Sequence, residues 1–265
     1  MAETIQQRCT SGGTSENKEA SGNSASVLRA LQLLDAFTGD QATLGVSDIG
    51  RRVGIPTSTV HRLLSHLVKG DFVTRDGQRY CLSDRLFELG NQVGHSRPKG
   101  LKDIAAPFLG ELFGACRMTT HLAVLDGPEI VMVDKVVGLK TYASRTVIGG
   151  RYPAVCTSLG KAMLAFETEE SIHSVISVGM PRRTRRSLTD PGILLQELAQ
   201  TRTSRVAYDR EEASLGQVCV AAPILQGGRA VAAISLSGAP GSFDLAAHGA
   251  ALVRITAQLS LRLRR

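Results

Sequence analysis

A proline turn between two short amphipathic helical patterns is the feature that most constrains this chain, and it lies within residues 46–69. Ser47 is a good N-cap for the first helix, and Gly54 can adopt the left-handed conformation that ends a helix. The Ile55-Pro56 step then predicts a turn, because the residue before a proline is kept out of the helical region. A second helix is expected over residues 57–69, with a glycine closing it.

This second helix is predicted to have one apolar face and one polar face. The apolar residues fall within one narrow arc, which we expect to face the core: Val60, Leu63, Leu64 and Leu67. The opposite face, found by rotating about 100° per residue, contains Ser58, Arg62, Ser65 and Lys69, flanked by Thr59, His61 and His66. The helix is therefore predicted to pack on one side and to present polar side chains on the other.

Two β-rich runs follow at residues 72–75 and 78–82, joined by Asp76-Gly77. Asp-Gly between such runs predicts a hairpin, since both turn positions need positive φ. A helix pair followed by a two-stranded hairpin is the winged helix-turn-helix arrangement. Residues 46–82 hold six basic against three acidic side chains, which is consistent with DNA as a partner.

The exposed side chains of the second helix are the first candidates for function. In a helix-turn-helix the second helix enters the major groove, with its N-terminal half nearest the base edges. The candidate DNA-binding residues on this helix are Thr57, Ser58, Thr59, His61 and Arg62. Arg75 and Arg79 flank the wing tip, where they would meet phosphate or the minor groove. The alternative is that these residues are the solvated face of a small helical domain.

The pattern of the whole 265-residue chain predicts an α+β protein in four parts. We expect a disordered tail over residues 1–23, a winged helix-turn-helix domain over 24–83, a linker helix over 84–99 and a larger domain over 100–265. The first helix is expected to begin near Ser26 and to bury Val27, Ala30, Leu31, Leu34 and Phe37. In the larger domain, strands paired as hairpins and joined by helices predict a largely antiparallel sheet, with a strand proposed over residues 141–147.

Two enzyme motifs in the larger domain are incomplete. The Ser158-x-x-Lys161 spacing occurs in acyl-enzyme hydrolases, but neither companion motif of those enzymes is present. Gly160-Lys161 resembles part of a phosphate loop, but Val155 stands where that loop requires glycine. We therefore predict no catalytic site.

A small-molecule pocket is the other interpretation of this domain. The helix start at residues 158–160 offers backbone N–H groups that can hold a small anion. Asp209 follows a predicted strand, and Cys219, Ser235 and Ser237 share parity within two others. The same side chains could equally be ordinary surface or core polar residues.

Composition favours a cytoplasmic protein without a metal or other cofactor. The first thirty residues lack the basic start and apolar run of a signal peptide, and no apolar stretch approaches the length of a membrane span. The five cysteines are isolated and never spaced as CxxC, which argues against a disulfide framework, and the histidines are too scattered to indicate a zinc site. The net charge of +7 lies mostly outside the predicted DNA-binding domain. Part of it comes from four arginines within residues 182–186, predicted to be solvated or to form a tetramer contact.

Several ordered motifs give the chain a more specific resemblance. They are Ile55-Pro56-Thr57-Ser58-Thr59-Val60-His61-Arg62-Leu63-Leu64, Thr157-Ser158-Leu159-Gly160-Lys161-Ala162, Ala207-Tyr208-Asp209-Arg210-Glu211-Glu212, Gly216-Gln217-Val218-Cys219-Val220-Ala221-Ala222-Pro223 and Ala233-Ile234-Ser235-Leu236-Ser237-Gly238. On these motifs the chain, apart from its tail, resembles the IclR family of bacterial transcription regulators.

The resemblance implies a winged helix joined by a helix to a GAF-like effector domain, in a homodimer or homotetramer. It implies binding of double-stranded operator DNA and of a small organic or aromatic acid, in control of a catabolic operon. The effector-binding residues it implies are Ser158, Leu159, Asp209, Cys219, Ser235 and Ser237. Val155 stands where the family often has histidine, which implies a less polar pocket on that side. The alternatives are an enzyme with an accessory DNA- or partner-binding domain, and an interaction scaffold that uses the winged helix for docking.

Overall fold

A computed structural model describes residues 16–38, 41–97, 99–138, 146–241 and 243–263. The chain divides into two compact units between Asn91 and Gln92. The first unit contains, in chain order, α1 (Glu16–Asp35), β1 (Leu44–Gly45), α2 (Val46–Val53), α3 (Thr57–Lys69), β2 (Val73–Asp76), β3 (Arg79–Leu82) and α4 (Asp84–Gly90).

The helix–turn–helix pattern is confirmed in the first unit. Helix α2 ends at Gly54, which is left-handed with φ of 68°, and the Ile55 amide donates to the Gly50 carbonyl at 3.0 Å across the turn. Helix α3 covers the predicted residues, and all four of its predicted core residues are buried. They pack with Leu33, Ile49 and Val73 in one apolar cluster.

The start of α2 differs from the prediction. The helix begins at Val46 with Gly45 as its N-cap, so Ser47 lies inside the first turn instead of capping it. Leu44 and Gly45 pair with Tyr80 and Arg79 as the short strand β1, which fixes the extended backbone from which the helix starts. Strand pairing to β3 therefore determines the helix boundary here.

Helix α1 is longer than predicted. It begins at Glu16 instead of near Ser26, so residues 16–23, predicted to belong to the disordered tail, are helical. Adding residues to an existing helix costs far less than starting one, because the unfavourable nucleation step is already complete. Residues 1–15, the rest of that predicted tail, lie outside the described residues.

The buried face of α1 agrees with the prediction only in part, since Ala30 and Leu34 pack against the core and Phe37, just after the helix, is buried. Val27 and Leu31, predicted to face the core, are 60% and 53% exposed, whereas Leu33 is fully buried. The helix carries two adjacent apolar stripes, and the periodic pattern alone does not tell which one packs. The stripe containing Leu33 and Phe37 packs, and the stripe containing Val27 and Leu31 faces outward.

The wing is a two-stranded hairpin, as predicted, with its turn displaced by one residue. Asp76 pairs with Arg79, so the two-residue loop consists of Gly77 and Gln78. Gly77 has φ of 58° at the first loop position, the position at which a type II′ turn favours glycine.

The helix that follows the wing is shorter than the predicted linker helix over residues 84–99. Helix α4 ends at Gly90, and turns occupy residues 91–97. Glycines at positions 90 and 94 have low helix propensity, and the apolar side chain of Phe87 is 73% exposed, so packing within this chain adds little support.

The second unit contains a six-stranded sheet between helices. Its elements are α5 (Leu101–Cys116), β4 (Thr119–Asp126), β5 (Glu129–Val136), β6 (Arg151–Pro153), a 3₁₀ turn (Ala154–Cys156), α6 (Ser158–Leu164), α7 (Glu169–Val178), α8 (Pro191–Ser204), β7 (Ala207–Arg210), β8 (Val218–Gln226), β9 (Arg229–Gly238) and α9 (Leu245–Arg262). The strand order is β6-β5-β4-β9-β8-β7, and every adjacent pair is antiparallel. This confirms the predicted α+β class and sheet type.

One edge of the described sheet is formed by a strand that the sequence did not predict. Of the strand predicted over residues 141–147, residues 141–145 lie outside the described residues, and Thr146 and Val147 are not in a strand. At this edge β5 pairs with β6, which is only three residues long and gives no alternating pattern.

Helices cover both faces of the sheet, and each face has its own apolar core. One core combines α5 and α9 with alternate sheet residues such as Leu122, Val220 and Ile234. The other combines α6, α7 and α8 with the small residues Ala123 and Ala233 and their neighbours. The small side chains allow α6 to approach the sheet closely, and all seven residues of α6 are buried.

Gly160 is the point at which α6 touches the preceding 3₁₀ turn. A Cβ at this position would lie 2.2 Å from the carbonyl oxygen of Ala154 and 2.4 Å from its Cα, and both are backbone atoms. The position therefore requires glycine for close approach.

Within the described residues, no helix is both long enough and apolar enough to cross a membrane.

Replacing Gly160 by alanine is expected to destabilise the second unit by about 3 kcal/mol or more, because backbone atoms cannot move aside as a side chain can. The matched control is Gly110→Ala in α5, where no described atom lies within 4 Å of the new Cβ. That substitution should raise stability by about 0.5–1 kcal/mol through helix propensity. Urea denaturation of both variants tests this, and equal stabilities would contradict the packing argument.

Candidate functional site

The exposed face of α3 presents the predicted DNA-binding side chains together. Thr57, Ser58, His61 and Arg62 are exposed, and Thr59 is half-buried. They occupy the N-terminal half of the helix, opposite the buried leucines. This surface is polar, carries the Arg62 charge and has no acidic residue in its first turn.

The two wing arginines are exposed, but both also stabilise the hairpin. Arg75 Nε donates to the Gly77 carbonyl at 2.9 Å. Arg79 donates to Thr43 twice, from Nε to Oγ1 at 3.0 Å and from Nη2 to the carbonyl oxygen at 2.6 Å. Arg79 thus ties the wing to the residue before β1, a role that charge counting alone did not reveal.

A cavity of about 230 Å³ lies in the second unit, between α6, the sheet and the loop after β7. Five of the six predicted effector-binding residues line it: Ser158, Leu159, Asp209, Cys219 and Ser235. Ser237 lies outside the lining, although it is buried and pairs with Cys219 on the neighbouring strand. The remaining lining residues described are His121, Ile130, Met132, Thr146, Tyr152, Thr157, Arg183, Ala213, Ser214 and Gln217.

Strand register explains why distant residues meet at this cavity. Asp209 pairs with Cys219 between β7 and β8, and His121 pairs with Ser235 between β4 and β9. Cys219 and Ser235 lie on adjacent strands, and Ser235 pairs with Ala221. Since directly paired residues, and residues two apart on a strand, project to the same face, these polar side chains all face α6. Asp209 lies within β7, whereas the sequence placed it just after that strand.

Asp209 is buried, and its environment favours the protonated form. Its Oδ1 accepts hydrogen bonds from the amides of Glu212 at 2.7 Å and Ala213 at 3.4 Å. Burial first, and then the negative charge of Glu212, raise the pKa of Asp209 to about 7, against partial opposition from these amides and Lys161. Near neutral pH the carboxyl group can therefore donate as well as accept a hydrogen bond.

His121 is the main polar side chain that sequence reasoning missed on the sheet wall. Its Nε2 lies 3.0 Å from Thr146 Oγ1, and its Nδ1 lies 3.4 Å from Ser235 Oγ. Burial and the nearby charge of Lys135 lower the pKa of His121 to about 3, so the ring is neutral at physiological pH. A histidine in the middle of a buried strand pattern was the available signal.

The environments of the two cysteines near the site favour the protonated thiol over the thiolate. Burial is the main cause that raises the thiol pKa of Cys219 well above its usual range, with Asp209 adding to it, and Gln217 Nε2 lies 3.5 Å from Cys219 Sγ. Burial likewise raises the pKa of Cys156 to about 11, and its Sγ donates to the carbonyl of Pro181 at 3.2 Å. Both shifts disfavour the thiolate that nucleophilic chemistry needs.

A buried ammonium group lies directly behind the cavity. Lys161 is fully buried, and its Nζ donates to both carboxylate oxygens of Glu212 at 2.8 Å and to Glu197 Oε2 at 2.7 Å. These three bonds use all three N–H donors of the ammonium. The Ser-x-x-Lys spacing at Ser158 thus reflects a structural ion pair, and Lys161 is not directed at the Ser158 hydroxyl.

Two further sequence expectations change with the structure. Val155, expected to make one side of the pocket less polar, packs in the apolar core and does not line the cavity. All four arginines of residues 181–187, a segment that we call the arginine loop, are exposed, and two of them also contact other parts of the unit. Arg183 lines the cavity, and Arg186 pairs with Glu211 at 3.1 Å. No sequence pattern distinguished Arg183 from its neighbours.

Comparison with known proteins assigns this architecture. Residues 26–77 match the IclR helix-turn-helix domain, and residues 97–259 match the C-terminal domain of bacterial transcriptional regulators of the IclR type. The chain belongs to the IclR family. The family resemblance stated from the sequence motifs is therefore confirmed, and so is the combination of a helix-turn-helix unit with an IclR effector domain.

Individual relatives cover most of this IclR-family chain. It is 34% identical to the regulator XynR of Escherichia coli over 80% of this chain and 85% of XynR, and 32% identical to the repressor IclR of the same organism over 83% and 81%. A solved IclR homologue from Microbacterium hydrocarbonoxydans, complexed with 4-hydroxybenzoate, has a TM-score of 0.82 at 25% identity over 90% of this chain and 99% of that one.

The protonation of Asp209 in this IclR-family protein has a measurable effect on stability. An unfolded aspartate titrates near pH 4 and the folded Asp209 near pH 7, so the folded state binds more protons between these values. Stability therefore falls as pH rises through that window, by a few kcal/mol in total. Asp209→Asn, which mimics the protonated acid and does not titrate, should therefore gain stability relative to the wild type between pH 5 and pH 8, by a few kcal/mol.

Urea denaturation at the two pH values measures this difference. Asp134→Asn, at a half-buried residue of β5 that lies outside the cavity, is the control. A loss of stability in Asp209→Asn that is the same at both pH values would show that Asp209 is ionised in the folded protein.

Proposed function

We propose that this protein is a one-component transcriptional regulator that binds operator DNA through α3 and the wing and is switched by a small organic or aromatic acid. The acid would bind in the cavity of the second unit, and the operator would control genes for catabolism of that acid or a related compound. The observation that carries the proposal is the cavity itself, whose buried polar wall lies in a different unit from the DNA-binding helix.

On the DNA side, the proposal assigns base contacts to the exposed N-terminal half of α3. Arg62 has the geometry to bridge a guanine, and serine, threonine and histidine side chains can donate to or accept from base edges. The proposed contacts on α3 are Thr57, Ser58, Thr59, His61 and Arg62. Arg75 and Arg79, exposed on the hairpin, would contact phosphate or the minor groove.

On the effector side, the proposal assigns acid recognition to the cavity. Apolar side chains of Ile130, Met132, Tyr152 and Leu159 provide the contact area, and hydroxyl groups and Asp209 provide orientation. The proposed effector-binding residues are Ser158, Leu159, Asp209, Cys219, Ser235 and Ser237, with Ser237 supporting its paired neighbour instead of lining the cavity. The 4-hydroxybenzoate complex of the structural relative supports a small acid of this kind.

A homodimer or homotetramer is part of the proposal. Val27, Leu28 and Leu31 leave an apolar face exposed on α1, and Phe87 and Leu89 leave another on α4. Large exposed apolar groups of this kind are covered in stable assemblies. A two-fold dimer would also present two α3 helices to the half-sites of a palindromic operator.

The switch requires unequal binding. A ligand shifts an equilibrium between two arrangements only to the extent that it binds one more tightly than the other. We therefore expect the acid to change operator affinity, and operator DNA to change acid affinity by the same factor.

Arg62→Ala tests the DNA side. Operator fragments are first selected with the purified wild-type protein, and their affinity is then measured by gel shift at moderate salt. The variant should bind about 5- to 150-fold more weakly and lose discrimination at one base pair, because one bidentate base contact is worth about 1–3 kcal/mol. Arg254→Ala, at an exposed arginine of the second unit, should bind as the wild type does.

The outcomes separate the competing functions. Undiminished operator binding by Arg62→Ala would show that α3 does not make the base contacts proposed for it. Failure of the wild type to retain any DNA, with no dependence on salt, would favour a protein-docking module. Carboxylic acids are then screened for release of the selected DNA, and turnover of any of them would favour an enzyme.

A further inference from the structure

The arginine loop is fastened to the wall of the cavity. Thr184 Oγ1 donates to the carbonyl of Glu211 at 2.7 Å, and Ser187 Oγ donates to the carbonyl of Glu212 at 2.8 Å. The amide of Arg183 in turn donates to Ser187 Oγ at 2.9 Å. The backbone that carries Arg183 is thus held against the loop after β7, which is the loop whose amides bind Asp209.

The arginines of this loop have different environments. Arg186 is neutralised by Glu211, whereas Arg182 and Arg185 are exposed and do not line the cavity. Arg183 lines the cavity and is also exposed, which places it at the rim. Among the described residues, none accepts a hydrogen bond from the Arg183 guanidinium. The charge is therefore available to a molecule that enters.

The rest of the described lining offers no second positive charge. His121 is neutral, and the Lys161 ammonium behind the wall is already bound to Glu212 and Glu197. The other polar groups are hydroxyls, an amide, a thiol and Asp209. At the start of α6, where the sequence suggested an anion site, the amide of Gly160 already donates to Thr157 Oγ1 at 3.0 Å. A negative group therefore meets a full positive charge only at the described rim, whereas the inner wall provides hydrogen-bonding groups and one carboxyl group.

We infer that Arg183 selects effectors that carry a single carboxylate, which it pairs at the rim, while the sheet wall takes an uncharged hydroxyl or carbonyl group. The inference rests on the proposed function, since it specifies the class of acid for that cavity. A guanidinium forms two parallel bonds to a carboxylate, a geometry that an amide of the same shape does not match.

The same arrangement disfavours a dicarboxylate. Its second charge would lie beside Asp209 in a buried wall, and a buried anion without a partner is costly. An acid with a neutral polar group at its far end avoids this cost, because a hydroxyl or carbonyl can exchange hydrogen bonds with Asp209 and Ser235.

The test uses two matched sets of probes and isothermal titration calorimetry on the full-length protein. The aromatic set is 4-hydroxybenzoate, 4-hydroxybenzamide and terephthalate, and the aliphatic set is pyruvate, pyruvamide and malonate. In at least one set, the monocarboxylate should bind the wild type at least about tenfold more tightly than its amide or the dicarboxylate. Arg183→Gln should weaken the monocarboxylate about tenfold and leave the amide within about threefold of its wild-type affinity.

Arg182→Gln and Arg185→Gln are the controls, because they remove the same charge from the same loop outside the cavity. Both should bind the monocarboxylate as the wild type does. Equal losses in all three variants would mean that the loop acts only through its overall charge, and an unchanged Arg183→Gln would overturn the inference while leaving the effector site intact. If no monocarboxylate in either set binds the wild type, the proposed effector class fails, and this inference fails with it.

Discussion

The ion pair between Lys161 and Glu212 is the interaction on which the second unit, which contains the cavity, depends. A fully buried ammonium is stable only when its charge and all its donors are satisfied, and here Glu212 and Glu197 satisfy them from positions 51 and 36 residues away. The pair joins α6, α8 and the loop after β7, three elements that form or support the cavity wall. Glu212 Oε1 also accepts from the amide of Arg210, so the end of β7 is held by the same carboxylate.

This arrangement divides the charges of the site between two regions. Behind the wall, carboxylates and ammonium neutralise one another, and the wall itself presents Asp209, neutral His121 and hydroxyl groups. The positive charge of Arg183 lies at the rim, in a loop that is held there by hydrogen bonds from the hydroxyls of Thr184 and Ser187 to the carbonyls of residues 211 and 212. In the binding mode that we propose, a small monoacid is matched by charge at one end and by hydrogen bonding at the other, and the apolar side chains between them set its size.

Local sequence patterns predicted the elements whose boundaries depend on neighbouring residues. They failed where contacts between residues distant in the sequence determine the structure. The turn at Ile55-Pro56, the core face of α3 and the hairpin around Gly77 follow from rules that act over a few residues. Which stripe of α1 is buried depends on the surfaces of α2 and α3 against which the helix packs. The spacing of the apolar residues alone could therefore not predict that Leu33 is buried and Val27 exposed. The role of Lys161 and the position of the loop that carries Arg183 depend on contacts between residues at least twenty-five positions apart, and no short motif encodes such contacts.

Hydrogen–deuterium exchange of Lys161→Met tests most directly whether the buried ammonium holds the cavity wall. The variant leaves Glu212 buried without its partner, so the amides of Glu212 and Ala213, which bind Asp209, should exchange at least about tenfold faster than in the wild type. Glu212→Gln, which keeps the side-chain shape, should show the same local change, and Arg254→Met, at an exposed ion pair, should show none. Folded Lys161 and Glu212 variants in which these amides exchange as slowly as in the wild type would contradict this role.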